Sequence, residues 1–133
     1  VLILLLAIFI DQFSKFLAGF LGLKIIFNEG VSLGLLGNLS SVFLAIFSFL
    51  ILLLIFIFLK KDWLFNPIAS GLFFGGAISN IVDRIFYGSV RDWLKIPFFE
   101  IYNNLADWFI FVGLGWFLVV IWWTSNKKSK KLV

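Results

Sequence analysis

Among its 133 residues the chain has no cysteine, no histidine and no methionine, only 2 prolines, and just 18 charged side chains (11 basic, 7 acidic). Each shortage excludes something. Without Cys there is no disulfide framework, no thiolate nucleophile and no Cys-based zinc site. Without His there is no imidazole base and no His-ligated metal. Any chemistry falls to carboxylates, Lys, Ser, amides or backbone groups. Charged residues make up 14% of the chain, against about 25% in soluble domains. What is present instead is apolar: 62% of residues are hydrophobic, with 19 Phe and 6 Trp. A soluble globule of this size leaves roughly 30% of its unfolded-state surface exposed and cannot hide so much apolar area. The composition is that of a membrane protein.

The net charge of +4 matters less than its placement. Lys127, Lys128, Lys130 and Lys131 crowd the end of the chain, and Lys60 and Lys61 form the other basic pair. Both clusters follow long apolar runs, so they read as juxtamembrane anchors rather than as a nucleic-acid surface. A spanning helix needs about 20 mostly apolar residues. Four stretches qualify: residues 41–59, which carry no charge; 67–86, opened by Pro67 at a helix's first turn; 106–123, closed by the interfacial pair Trp122 and Trp123; and 1–23, interrupted by Asp11 and Lys15. The last is too polar after Ile10 for a secretory leader. With no internal repeat, one domain over residues 1–133 is the economical reading. The two lysine clusters end spans two crossings apart and so share a side, the cytoplasmic one, which places both termini inside. Segments 22–40 and 88–104 then lie outside. The Gly spacing and short apolar alternation of the first predict strands or irregular loop, and Pro97 with its apolar flanks predicts that the second lies on the bilayer surface. The expected fold is an all-α membrane protein of four transmembrane helices, with a small extracytoplasmic strand or loop region after the first and a surface segment between the third and fourth.

A charge within a span costs about 2.5–3.5 kcal/mol at the bilayer centre, so such residues face a bundle interior or a functional cavity. From Pro67 to Asp83, and from Trp123 back to Asp107, is 16 steps each, or ~24 Å of helical rise. Both aspartates therefore reach one level, close to the outer edge of a core of about 30 Å. Asn80, Asp83 and Arg84 form one stripe at i, i+3, i+4, and Asn104 and Asp107 repeat the i, i+3 relation at a helix start, where Asn suits the cap and Asp the dipole. Asp11 and Lys15 are an i, i+4 pair, and Asp92 lies just outside the third span. Each group also has a plain structural reading: an intrahelical ion pair for Asp11 and Lys15, a clamp for Asn80, Asp83 and Arg84, a helix cap for Asn104 and Asp107, and a solvated loop pair for Arg91 and Asp92. Ser14 and Lys15 are adjacent on a helix and do not face each other, which argues against a Ser–Lys hydrolase. Gly75 and Gly76 read as close helix packing rather than a phosphate loop.

Four aspartates at one level, without His or Cys, point to carboxylate chemistry. One ionised carboxylate takes a proton from water while a protonated partner polarises the scissile carbonyl, and two such groups held close share a proton. This reasoning leaves open which two of Asp11, Asp83, Asp92 and Asp107 form the pair.

The motifs choose. DQFSK at 11–15, NEGVSLG at 28–34, GGAISNIVDR at 75–84, GSVRDW at 88–93 and NNLADWFIFVG at 103–113 occur in the order of one family, and the chain resembles lipoprotein signal peptidase, or signal peptidase II. The resemblance implies an aspartic peptidase without metal or cofactor, in the bacterial cell membrane, acting near its extracytoplasmic surface. Its substrate would be a prolipoprotein carrying a diacylglyceryl-modified Cys, cut just before that Cys. The resemblance further implies Asp92 and Asp107 as the catalytic pair, with Asp11, Lys15, Asn28, Gly30, Asn80, Asp83, Arg84 and Asn104 binding substrate or supporting the site. The expected partners are the lipid-modified precursor and membrane lipid, with no nucleic acid, and the expected state is a monomer. Leu33, Ser79, Trp93 and Asn103 depart from the family pattern, which bears on pocket shape and peptide preference rather than on the carboxylates. Asp11 sits only 10 steps from Val1, ~15 Å of rise, so about six or more residues are expected to precede Val1. The alternative reading is a small non-enzymatic bundle, a carrier subunit or scaffold, with buried carboxylates.

Overall fold

The computed structural model describes residues 1–30, 41–64 and 66–129, and the side chains of 1–30, 43–57 and 66–123. It contains four helices, α1 (Leu2–Phe20), α2 (Ser41–Leu64), α3 (Pro67–Tyr87) and α4 (Leu105–Ser129), and four short strands, β1 (Ile26–Asn28), β2 (Val90–Asp92), β3 (Leu94–Lys95) and β4 (Tyr102–Asn103). Helix α1 stops short of the expected residue 23 because Gly22 adopts a left-handed φ of 69°. The N–H groups of Gly22 and Leu23 then bond back to the carbonyls of Gly19 and Ala18, closing the last turn. Helix α2 runs on past residue 59 through Lys60 and Lys61, since Lys is a good helix former. Gly88, with φ 70°, ends α3 and turns the chain into β2.

The segment between α3 and α4 differs from expectation. Rather than only lying on a surface, it forms strands: β2 pairs antiparallel with β1, Ile26 opposite Asp92 and Asn28 opposite Val90, and β3 pairs with β4. Strands of two or three residues are too short to leave a period in the sequence. The strand expected after the first helix is present as β1; the rest of that expectation, residues 31–40, lies outside the described residues, as do Lys130 and Lys131.

Helix α3 is central, packing against α1, α2 and α4, while α1 also touches α4. The contacts depend on missing side chains. A Cβ on Gly75 would lie 2.7 Å from Ala7 Cβ of α1, and one on Gly76 would lie 2.5 Å from the Ala106 carbonyl of α4. Gly113 of α4 makes the same close approach to Ala69 and Phe73 of α3. Glycine is what lets helix backbones come this near, as the sequence predicts for Gly75 and Gly76. Toward the start of α3, Ala69, Phe73 and Phe117 form a small apolar core.

Burial is inverted relative to a soluble protein. Asp11, Lys15, Asp83 and Asn104 are buried, whereas Phe16, Phe111 and Trp122 are each more than 60% exposed. Polar groups inside and aromatics outside suit a hydrocarbon surround. Helix α1 and residues 105–123 of α4 are long and apolar enough to cross a membrane. Gly76→Ala should therefore lower the thermal stability of the detergent-solubilised protein by about 1–3 kcal/mol through overpacking. Gly115→Ala, where no atom of a neighbouring element lies within 4 Å of the added Cβ, should not lower it; equal losses at the two positions would contradict this packing.

Candidate active site

The site grows from one buried cation. The Lys15 ammonium, wholly buried on α1, lies 2.6 Å from Asp11 Oδ2 and 2.9 Å from Asp83 Oδ2, and donates to Asn80 Oδ1 at 3.3 Å. The pair expected within α1 thus forms, and it also ties α1 to α3. Each of the two carboxylates then reaches a backbone N–H elsewhere. Asp11 Oδ1 accepts from the Ala106 N–H at 2.9 Å, a donor left over at the start of α4. Asp83 Oδ2 accepts from the Arg91 N–H at 3.0 Å. Both held groups immediately precede an aspartate, Asp107 and Asp92 respectively.

Asn104 joins those two aspartates. As the cap of α4 its Oδ1 accepts from the Asp107 N–H at 3.0 Å, and its Nδ2 donates to Asp92 Oδ1 at 2.6 Å. Asn80 Nδ2 donates to Asp107 Oδ1 at 2.8 Å, and Asn28 Nδ2 to Asp92 Oδ2 at 3.0 Å. Asn28 Oδ1 in turn accepts from the Gly30 N–H, and Arg84 Nη2 donates to the Gly30 carbonyl at 2.9 Å. All ten residues singled out in the sequence therefore belong to one connected network. Asp92 and Asp107 both line a cavity of about 230 Å³ together with Asn28, Asn80 and Arg84, its remaining wall being Ser48 and apolar side chains such as Ile51 and Leu52 of α2.

Two pairings differ from the sequence reading. Asp83 does not pair with its neighbour Arg84; besides Lys15 it binds the Arg91 guanidinium at 2.8 Å. Successive helical side chains diverge, so Asp83 faces α1 and β2 while Arg84 faces the cavity. Arg91 and Asp92 are not a solvated pair either, since both are buried and Arg91 turns to Asp83 and lies 4.0 Å over the Tyr87 ring. Three polar residues of the network were given no place in the site by the sequence: Gln12, which bonds Ser79, Asp83 and Arg91; Ser79, whose hydroxyl donates to Asp11; and Arg91. Gln12 and Arg91 stand beside Asp11 and Asp92 in the motifs, which was their one available signal.

Burial raises the Asp92 carboxyl to about 6 from 3.8; the amides of Asn28 and Asn104 oppose the rise and the nearby Asp107 adds to it. Because the folded value lies above the unfolded one, Asp92 contributes fully to stability below about pH 4 and that contribution is lost as pH rises through 6. At neutral pH this carboxylate costs stability, as functional groups often do. Among the described residues no three His, Cys, Asp or Glu side chains are grouped so as to hold a metal ion.

Fold and site together define a helical membrane protein built around a buried carboxylate centre. Comparison places it further. The family model described as signal peptidase (SPase) II matches residues 3–123, and the chain belongs to that family. It is 31% identical to a lipoprotein signal peptidase of Caldanaerobacter subterraneus subsp. tengcongensis over 90% of this chain and 94% of that one. It is 40% identical to a lipoprotein signal peptidase of Wigglesworthia glossinidia brevipalpis over 76% of this chain and 67% of that one. A solved bacterial membrane enzyme, 23% identical, shares the fold with a TM-score of 0.78 over 96% of this chain and 88% of its own. Family membership decides for an aspartic peptidase against the carrier or scaffold alternative.

A double-mutant cycle checks the revised pairing. Asp83→Asn and Arg91→Met are expected to couple in thermal stability by on the order of 1–3 kcal/mol, and more strongly than Asp83→Asn and Arg84→Met, which share no hydrogen bond. A larger coupling to Arg84 would restore the neighbour pairing.

Proposed function

We propose that the chain is an intramembrane aspartic endopeptidase that removes the signal peptide from diacylglyceryl-modified prolipoproteins, cutting just before the lipidated Cys, with Asp92 and Asp107 as its catalytic pair. The observation that carries this reading is that these two carboxyls alone in the network face the cavity while each is held by an asparagine amide and by Asn104 between them. One carboxyl, ionised, takes a proton from water as the water oxygen attacks the scissile carbonyl carbon; the other, protonated, gives its proton to the carbonyl oxygen. Collapse of the tetrahedral intermediate breaks the C–N bond: the carboxyl that took the water proton gives it to the leaving nitrogen, and the other carboxylate takes back a proton from the former carbonyl oxygen, which restores the pair. The pair titrates as a unit. Asn28, Gly30, Asn80, Arg84 and Asn104 border the reacting peptide or hold the pair, and Asp11, Lys15 and Asp83 hold the backbone beneath it.

In this reading all four helices span the cell membrane of a bacterium as one domain, with both termini cytoplasmic and the site near the extracytoplasmic surface. Support comes from Lys60, Lys61 and the terminal lysines, which follow the apolar parts of α2 and α4, and from the apolar run 43–57 of α2. The apolar wall of the cavity suits the signal peptide, while the lipid chains of the substrate stay among membrane lipid. In this reading the protein acts as a monomer, because one copy suffices to supply both aspartates and the asparagines that hold them.

Asp92→Asn and Asp107→Asn should each abolish cleavage of a lipidated precursor, with the protein still inserted. Cleavage retained by either variant would remove that residue from the pair. The pH profile of kcat/KM should bend near 6. Asn28→Ala should move that bend upward, because it removes a donor that favours ionised Asp92; a downward shift would contradict the assignment.

A further inference from the structure

Ser79 is fully buried on α3, facing α1, and the chemistry above makes no use of it. Its hydroxyl donates to Asp11 Oδ2 at 2.7 Å and accepts from Gln12 Nε2 at 2.9 Å. Asp11 Oδ2 is shared, because Lys15 lies 2.6 Å from the same oxygen. Lys15 divides itself among three acceptors, and its contact with Asn80 Oδ1, at 3.3 Å, is the longest. That contact has a consequence. A primary amide is nearly symmetric in shape, so only its partners decide which end is oxygen and which is nitrogen. The ammonium beside Oδ1 fixes Asn80 with its NH₂ toward Asp107 Oδ1, 2.8 Å away. The charged groups acting around Asp107 are Asp11 and Lys15 from α1, Arg84 from α3 and Asp92 from β2.

We infer that Ser79 is a positioning residue for Asp107, acting through Asp11, Lys15 and Asn80. By occupying part of Asp11 Oδ2 with a neutral donor, its hydroxyl keeps Asp11 from drawing Lys15 wholly to itself. Lys15 stays within reach of Asn80, and Asn80 keeps a donor on Asp107. Loss of the hydroxyl leaves no partner stranded: Asp11 retains Lys15 and the Ala106 N–H, and Gln12 retains Asp83 and the Ser79 backbone carbonyl. The inference rests on the assignment of Asp107 to the catalytic pair.

Ser79→Ala is expected to lower kcat for a lipidated precursor by about tenfold, the scale of one hydrogen bond to a charged group, with KM within about twofold. It is also expected to displace a limb of the kcat–pH profile, because Asp107 loses a fixed donor. Ser79→Cys, similar in volume with a weaker donor, is expected to fall between, and it carries the same test if the Ala variant does not fold. Activity is expressed per folded protein, measured by thermal denaturation in the same detergent. An unchanged kcat, or a lowered kcat with the pH profile in place, overturns the inference and leaves Ser79 with packing alone. Failure of the peptidase reading is a different result, because the unsubstituted protein itself would then cleave nothing.

Discussion

The structure depends on what happens to one ammonium group taken out of water. Burying Lys15 costs several kcal/mol, and without its carboxylate partners the ammonium would be an uncompensated buried charge. Asp11 and Asp83 meet that cost from two different helices, so α1 and α3 are locked in register. Each carboxylate then has lone pairs to spare, and each spends one on a backbone N–H next to a proposed catalytic residue: Ala106 before Asp107, Arg91 before Asp92. A single buried cation thereby sets the positions of a helix start and a strand end that are distant from each other in sequence. This explains why a chain poor in charge concentrates so much of it in one place.

The same economy runs through the packing. With apolar side chains facing outward, helix association cannot rest on hiding them and depends instead on close backbone contact and internal polar bonds. Gly75, Gly76 and Gly113 supply the first around α3, and the Lys15 network supplies the second. What the network does not neutralise is Asp92. Its raised carboxyl is a standing cost at neutral pH, which fits the chemical role proposed for it better than a stabilising one.

Much of this was legible beforehand because charge inside an apolar span is expensive and therefore informative. The motifs named ten of the residues that the network connects, among them Asn80, which donates to Asp107, and Asn28, which donates to Asp92. The pairings were not legible. Asp83 stands next to Arg84 in sequence, yet adjacent helical side chains point apart, and its partners are Lys15 and Arg91. Ser79 and Gln12 look ordinary in a helix until two helices are placed face to face. The strand pairs β1–β2 and β3–β4 are too short for any periodicity to reveal, although β1 is what brings Asn28 to Asp92.

The central claim is that this buried carboxylate centre hydrolyses a lipidated precursor at one bond. The direct measurement is mass spectrometry of the products after the purified, detergent-solubilised protein is incubated with a prolipoprotein, with and without prior diacylglyceryl transfer to its Cys. The account predicts a single cut immediately before the modified Cys and none in the unmodified precursor. No cut, or equal cutting of both precursors, would contradict it.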